Sequence, residues 1–196
     1  VLIKSTTVPA KTVPELVSLI RSNPGKYNYS SSGVGGAPHM AGELLNASAQ
    51  LDIAHVPYNG AGPALNDVAA GRVQLTFTTL ASAQALLKTD KVAPIAVAGE
   101  RRLVSLPQVP TFRESGIQGL EMGTMNGLLA PAKTPQAVID KIYAAVKKAA
   151  EREEFRTQFV EQGADLVVED PATFGTYIRT DLQRWKDLMS RAGVTQ

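Results

Sequence analysis

Residues 28–44 constrain the fold more than any other stretch. Asn28-Tyr-Ser-Ser-Ser-Gly-Val-Gly-Gly-Ala-Pro-His-Met-Ala-Gly-Glu-Leu44 belongs to a β-type run, Tyr27 to Ser32, followed by a glycine-rich turn, Gly33 to Gly36, and a helix-compatible run from about Pro38. A strand feeding a helix through small residues leaves several backbone N–H groups without partners at the helix start. The peptide dipoles of the helix favour negative charge at the same place. The stretch is therefore a ready-made site for a carboxylate or a phosphate. Ser30–Ser32 add hydroxyl donors beside the amides, and the loop is read as holding a carboxylate without reacting with it.

The same pattern recurs along the chain. Ile53–Tyr58 reads as a strand and Asn59-Gly-Ala-Gly-Pro63 as a second glycine turn, whose helix runs through Leu65 and Val68 to a stop at Gly71. Val73–Thr79 alternates apolar and polar residues, as a half-buried strand does. A short helix, Leu80–Lys88, and a strand, Ala93–Ala98, follow. Upstream, Val1–Ser5 is β-compatible. Thr12-Val-Pro-Glu15 is a capping box opening a helix that Asn23-Pro-Gly25 ends. Met40, Leu44 and Ala47 form the expected apolar face of the helix after the first glycine turn. Alternating strands and helices predict βαβ units and a largely parallel sheet.

Residues 99–119 interrupt this rhythm with Arg101-Arg102, prolines and a short helix capped by Thr111 and Glu114. Beyond them the pattern predicts strand-like runs at Gly127–Ala130 and Leu166–Val168. It also predicts helices opened by Thr134-Pro135 and Asp170-Pro171 and a helix marked by Phe155 and Phe159. The first of these carries Val138, Ile142, Ala145, Val146 and Ala149 in register. The last carries Phe174, Ile178, Trp185 and Met189 as an apolar stripe, with Phe174 and Trp185 read as core.

Composition removes whole function classes. The 196 residues are 44% hydrophobic, enough for one large domain or two small ones with a real core. Net charge is +2 and no basic run exceeds Arg101-Arg102, so a nucleic-acid partner is not expected. With no cysteine and two histidines, neither disulfides nor a transition-metal site is expected. No apolar stretch approaches the ~20 residues of a membrane span. The chain starts at Val1, without an initiator Met and without a charged n-region leading an apolar one, and reads as processed or truncated.

The first glycine turn lacks the third glycine of a dinucleotide fingerprint, whose place Pro38 takes, and no phosphate-binding P-loop occurs. No Gly-x-Ser-x-Gly elbow accompanies His39, so His39 reads as a pocket-lining or structural residue rather than a general base. His55 reads as structural, and Arg101-Arg102 as a solvated surface pair. In a parallel sheet the two glycine turns and the strand end at Thr78-Thr79 open at one edge, the edge where open α/β sheets bind ligands. The candidate ligand-binding residues are Ser31, Ser32, Gly33, Gly35, Gly36, His39, Tyr58, Asn59, Gly60, Thr78 and Thr79. Apart from His39 they are neutral hydrogen bonders, a set suited to binding more than to acid–base work.

These residues also carry a resemblance. The motifs are Val8-Pro-Ala-Lys-Thr-Val13 with Asn23-Pro-Gly-Lys26, and Asn28-Tyr-Ser-Ser-Ser-Gly33-x-Gly35 with His39-x-Ala-Gly-Glu-Leu44. With them go His55-Val-Pro-Tyr58-x-Gly60 and Gly62-Pro-Ala64, Leu106-Pro-x-Val-Pro-Thr111 with Glu114-Ser-Gly116, and Gly127-Leu-Leu-Ala-Pro-Ala132 with Thr134-Pro135. In this order and spacing the chain resembles the solute-binding proteins of tripartite tricarboxylate transporters, the TctC or Bug family. The resemblance implies an α/β fold of the periplasmic binding protein type II, or Venus-flytrap, kind. One α/β domain would be complete, residues 5–124. Residues 125–196 would be the C-terminal contribution to the other domain, and residues 1–4 a hinge strand.

The resemblance further implies a periplasmic, non-enzymatic protein without cofactor. It would clamp a small organic mono- or dicarboxylate between its domains and hand it to membrane permease subunits. The family's N-terminal segment, with the Pro-Phe-x-Ala-Gly-Gly loop of the facing jaw, is absent from these residues. The stripes of Val138–Ala149 and Phe174–Met189 would then be exposed, and a dimer or domain swap would relieve that. Gly36 stands where the family usually has Ser, and Thr78 where Asp is frequent, so a plain carboxylic acid fits better than an amino acid. Two other readings use the same residues: a small α/β hydrolase or transferase working through Ser32 and His39, and a sensor presenting its ligand to a membrane kinase.

Overall fold

The computed structural model describes residues 1–191. Five strands, β1 (Leu2–Ser5), β2 (Asn28–Ser31), β3 (Ala54–Pro57), β4 (Leu75–Phe77) and β5 (Val92–Ala96), form one sheet in the order β3-β2-β4-β1-β5. Helices α1 (Val13–Arg21), α2 (Ala37–Ala49), α3 (Ala61–Ala69) and α4 (Leu80–Leu87) alternate with them. Helices α5 (Gln136–Ala150), α6 (Glu153–Glu161) and α7 (Pro171–Arg191) follow the last strand.

Strands β2, β3 and β4 are parallel, as the alternating pattern predicts. β1 is not: it runs antiparallel to both β4 and β5, with Leu2 opposite Phe77 on one side and Ala96 on the other. Filling the gap between β4 and β5 with a reversed strand makes the sheet mixed. The pairing joins residues more than seventy positions apart, and no local pattern in residues 1–5 encodes it.

Successive residues of an interior strand point to opposite faces, so both faces must be covered. Leu2 joins a core with Val13, Leu16, Tyr29, Leu44, Leu45, Leu75, Phe77 and Phe112, on the face covered by α1 and α2. Ile3 joins Leu65, Val68, Val73, Ala83 and Val92 on the opposite face, under α3 and α4. The result is a helix–sheet–helix sandwich whose strand ends carry the glycine turns.

The helix starts are explicable residue by residue. The Thr12 hydroxyl accepts the Glu15 amide at 3.3 Å, while the Glu15 carboxylate accepts the Lys11 amide at 2.8 Å, one residue upstream of the usual capping-box partner. On α2 the buried face is Met40, Ala41, Leu44, Leu45 and Ala49, whereas Ala47 is exposed, so the core-facing stripe is rotated from the expected Met40–Leu44–Ala47 line. The box between Thr111 and Glu114 forms at 2.7 and 3.1 Å but closes a turn rather than a helix. That segment is held by a bridge from Thr111 to Val97 and by the buried Phe112 ring.

Neither Gly127–Ala130 nor Leu166–Val168 forms a strand. A strand needs a ladder partner for its amides and carbonyls, and both runs lie outside the five-stranded sheet. Leu128 and Leu129 are 71% and 79% exposed. Asp170 caps α7 through the Ala172 and Thr173 amides. Leu188 docks α7 into the first core, and Arg184 donates to the Glu121 carbonyl at 3.4 Å. Phe174, Ile178, Trp185 and Met189 are half-buried, and Val138 and Ile142 on α5 are exposed.

In the first core the Tyr29 ring packs directly over Gly42 of α2. A Cβ at Gly42 would overlap Cε2 and Cζ of Tyr29. We expect Gly42→Ala to destabilise the protein by about 2–3 kcal/mol through overpacking, despite alanine's better helix propensity. This would be seen as a lower urea midpoint at unchanged slope, and an unchanged midpoint would refute the wedge. Thr12→Ala, which removes only a cap, should cost about 1 kcal/mol in the same measurement.

Candidate functional site

The strand order brings the C-terminal ends of β2, β3 and β4 to one edge, and the predicted residues gather there. The two glycine turns are laced together. The Tyr58 amide donates to the Ser31 carbonyl at 3.1 Å and the Gly60 amide to the Ser32 carbonyl at 3.2 Å, which carries the β2–β3 ladder past Pro57. Gly35 takes φ +78°, a left-handed conformation that a side chain would strain.

Within the first turn the predicted residues divide into those that shape it and those that face solvent. Ser31 is fully buried. Its hydroxyl donates to the Gly33 carbonyl at 2.9 Å, accepts the Gly33 amide at 3.2 Å, and lies 2.7 Å from His55 Nε2. A hydroxyl has one proton and two acceptor positions. With its proton on Gly33, Ser31 receives the His55 Nε2–H, which assigns the tautomer from the network. The Gly35 amide donates to His39 Nδ1 at 3.1 Å, and His39 is only 8% exposed. Ser32, Val34, Gly35 and Gly36 are exposed.

What the turn offers outward is backbone. Gly36 is the N-cap of α2, and no side chain caps that helix. Pro38 lacks an amide, and the amides of Gly36, Ala37 and His39 have no acceptor among the described residues. Gly60 is likewise the N-cap of α3, again without a side-chain cap. The neighbouring helices differ: α1 is capped by Thr12 and α4 by Thr79, whose hydroxyl accepts the Ser82 amide at 3.2 Å. Thr79 is thus engaged as a cap. Thr78 is buried, and its backbone pairs with Val1 through its amide at 3.0 Å. Asn59 is exposed at the second turn.

Tyr58 points its hydroxyl at Asp67 Oδ2, 2.5 Å away on α3, and Arg72 binds the other oxygen of the same carboxylate. Arg72 and Tyr58 hold the Asp67 carboxyl below its ordinary range, and Asp67 pushes the Tyr58 phenol up. The charge of Arg72 is therefore partnered. Arg101 pairs with Asp165 and Arg102 with Glu114, which places both in surface ion pairs.

A second set of residues lies beneath the turn, unclaimed by the sequence reading apart from His39. Tyr29 stacks on His55 at 4.8 Å between ring centroids, and His55 lies 4.2 Å from the His39 ring. The Tyr29 hydroxyl donates to Glu43 Oε1 at 2.6 Å, and the same oxygen faces His39 Nε2 at 3.8 Å. Burial, and then the nearby His39, lower the His55 pKa below the ordinary histidine value. The i,i+4 spacing of His39 and Glu43 was the one local signal for this cluster. Ser32 and His39 are not hydrogen-bonded to each other among the described residues. Two open clefts, ≈ 480 Å³ along Thr173–Thr180 of α7 and ≈ 200 Å³ between α1 and Ser115–Ile117, do not include the glycine turns. No group of three or more metal-ligating side chains occurs among the described residues.

Comparison with known proteins places this architecture. A UPF0065 protein of Pseudomonas sp. (strain P51) is 31% identical over 180 residues, 91% of this chain and 54% of that protein. Among solved structures, an R. palustris protein with adipate superposes with a TM-score of 0.93 at 28% identity, over 98% of this chain and 64% of its own. The periplasmic binding protein BugD gives a TM-score of 0.89 at 27% identity, over 98% and 65%. MatC from Rhodopseudomonas palustris, with bound malate, gives 0.83 at 30%, over 95% and 65%. The chain thus spans about half the length of that curated relative and about two thirds of these structures. Its fold is the α/β fold of periplasmic solute-binding proteins. Residues 1–194 match the family model of the tripartite tricarboxylate transporter family receptor, TctC, and the chain belongs to that family.

Proposed function

We propose that the two glycine turns form one jaw of a clamp for a small organic carboxylate, in a solute-binding protein that serves a membrane permease from the periplasm. The observation that carries this is the pair of uncapped helix starts. α2 and α3 both begin at glycine, at the ends of the neighbouring strands β2 and β3 and on opposite faces of the sheet, with no side chain closing them, while α1 and α4 are closed by threonines. A carboxylate supplies the acceptors that those amides lack and gains from the dipoles of two helices. The exposed hydroxyl of Ser32 and the amide of Asn59 flank the same edge.

Adipate and malate, held by two structural neighbours, are both dicarboxylates. A ligand with two carboxylates can place one on this jaw and the other on a facing jaw. By this reading residues 5–124 are the ligand-binding domain, residues 1–4 the hinge strand, and residues 125–196 part of the facing domain. The exposed Leu128, Leu129, Val138 and Ile142 then lie where the remainder of a two-domain receptor packs.

A hydrolytic role for Ser32 and His39 has less support. His39 Nδ1 is engaged by the Gly35 amide, and Nε2 faces Glu43 rather than a serine.

Calorimetric titration of the intact protein with adipate, malate and a panel of mono- and dicarboxylates should give binding for at least one acid; no heat with any would overturn the reading. Ala37→Pro is the sharper test. Gly36 has φ −77° and ψ 166°, the extended conformation a following proline demands, and the first helical position tolerates proline. The change removes one open amide and little else. A lost bond to a charged acceptor is worth about 1.5–3 kcal/mol, so affinity should fall about tenfold or more at unchanged thermal stability.

A further inference from the structure

We propose that His39 and His55 are positioning residues that fix the shape of the first glycine turn, and that a second proton on His39 releases it. As a statement about ligand binding this rests on the carboxylate-clamp reading; as a statement about the turn it does not.

The geometry is specific. The Gly35 amide donates to His39 Nδ1, so that nitrogen carries no proton and the ring proton sits on Nε2, facing the Glu43 carboxylate. A second proton on His39 can go only to Nδ1. There it would meet the Gly35 N–H head-on, and the bond that holds Gly35 in its left-handed conformation would be lost. His55 holds the other half of the turn, through the Ser31 hydroxyl that grips both the amide and the carbonyl of Gly33. The two rings are 4.2 Å apart, so a charge on either opposes a charge on the other.

The titratable groups that meet the pair among the described residues are Glu43 from α2 and Tyr29 from β2. Glu43 favours a charged histidine. It also accepts the Tyr29 hydroxyl, and Tyr29 is wedged against Gly42, so the carboxylate is held in place rather than free to follow a moving ring. Desolvation acts the other way, and His55 resists protonation. A folded-state histidine with a lowered pKa binds fewer protons than the unfolded chain does. The neutral form of His55 is therefore favoured in the folded protein above the ordinary histidine range, about pH 6.5, and that contribution is lost as pH falls through the lowered value.

The test is nuclear magnetic resonance on the ligand-free intact protein. At pH 7.5 the His39 ring should show the Nε2–H tautomer. Between pH 7.5 and 5 the Gly35 amide signal should move with the protonation of the His39 ring, while the Gly33 amide, braced through the His55 Nε2–H, should follow it less. His39→Asn offers an acceptor near the Nδ1 position but cannot titrate. In that variant the Gly35 amide should keep its high-pH shift, and the pH response should disappear. Glu43→Gln, which leaves both rings in place, should move the pair's midpoint down.

With adipate as probe, affinity relative to His39→Asn should fall about twofold or more from pH 7.5 to 5.5, a ratio in which the acid's own protonation cancels. An Nδ1–H tautomer at pH 7.5, or a Gly35 amide that stays fixed while both histidines titrate, overturns the proposal. If adipate and malate bind neither protein while Gly35 still follows the pair, the positioning role stands and the carboxylate reading fails.

Discussion

The Tyr29 ring holds the site together. It enters from β2, fits the notch that Gly42 leaves in α2, stacks on His55 from β3 and meets Phe77 of β4 edge-on at 6.5 Å. Three strands and a helix are fixed to one another through this side chain. A buried phenol must find partners. Tyr29 donates to Glu43 at 2.6 Å and lies 3.1 Å from the His39 carbonyl, and burial together with Glu43 pushes its ionisation far above the usual phenol value. With both ends of the glycine turn anchored in this way, residues 32–36 can stay exposed and keep their amides open without becoming slack. A rigid support under an open loop is what a recognition site needs.

The charges around the site reinforce the same division of labour. Arg72 is held by Asp67, Arg101 by Asp165 and Arg102 by Glu114, so these three cations are partnered. In the proposed clamp, attraction for an anion falls to peptide dipoles, amides and the Ser32 hydroxyl. Such donors are directional and carry no proton that a substrate could take at neutral pH. The titratable histidines sit behind the turn and face inward. In the clamp proposed above, a ligand is oriented and retained, and its bonds are left alone.

The local elements were legible in the sequence because their causes are local. The glycines of the two turns, the Thr12 cap, the prolines near helix starts and the alternation of Val73–Thr79 each act within a few residues. The gathering of Ser31–Gly36, Tyr58–Gly60 and Thr78-Thr79 at one edge followed from that alternation alone. What escaped is non-local. The reversed β1 depends on a gap between β4 and β5, and the apolar run at Gly127–Ala130 is coil because it pairs with no strand of the sheet. The roles of Thr79 as a cap, Ser31 as the inner brace of its own turn and His55 as its partner depend on which strand lies beside which. Apolar periodicity does not encode these contacts, and His55 in particular gave no sign beyond standing two residues before Pro57.

The glycine turns present donors to a space that their own domain does not enclose, and Leu128, Leu129, Val138 and Ile142 present carbon to water. Burying apolar surface contributes about 25 cal/mol per Å², so the second feature favours permanent association with whatever covers it. Open amides behave differently. Water satisfies them nearly as well as a neutral partner does, and only a charged acceptor gives a clear gain. Under the proposed clamp, the exposed apolar side chains suit constant contact, and the amide edge suits closing only when an anion is present. A clamp needs that asymmetry, because a jaw that closed as readily on water as on its ligand could not report or deliver anything.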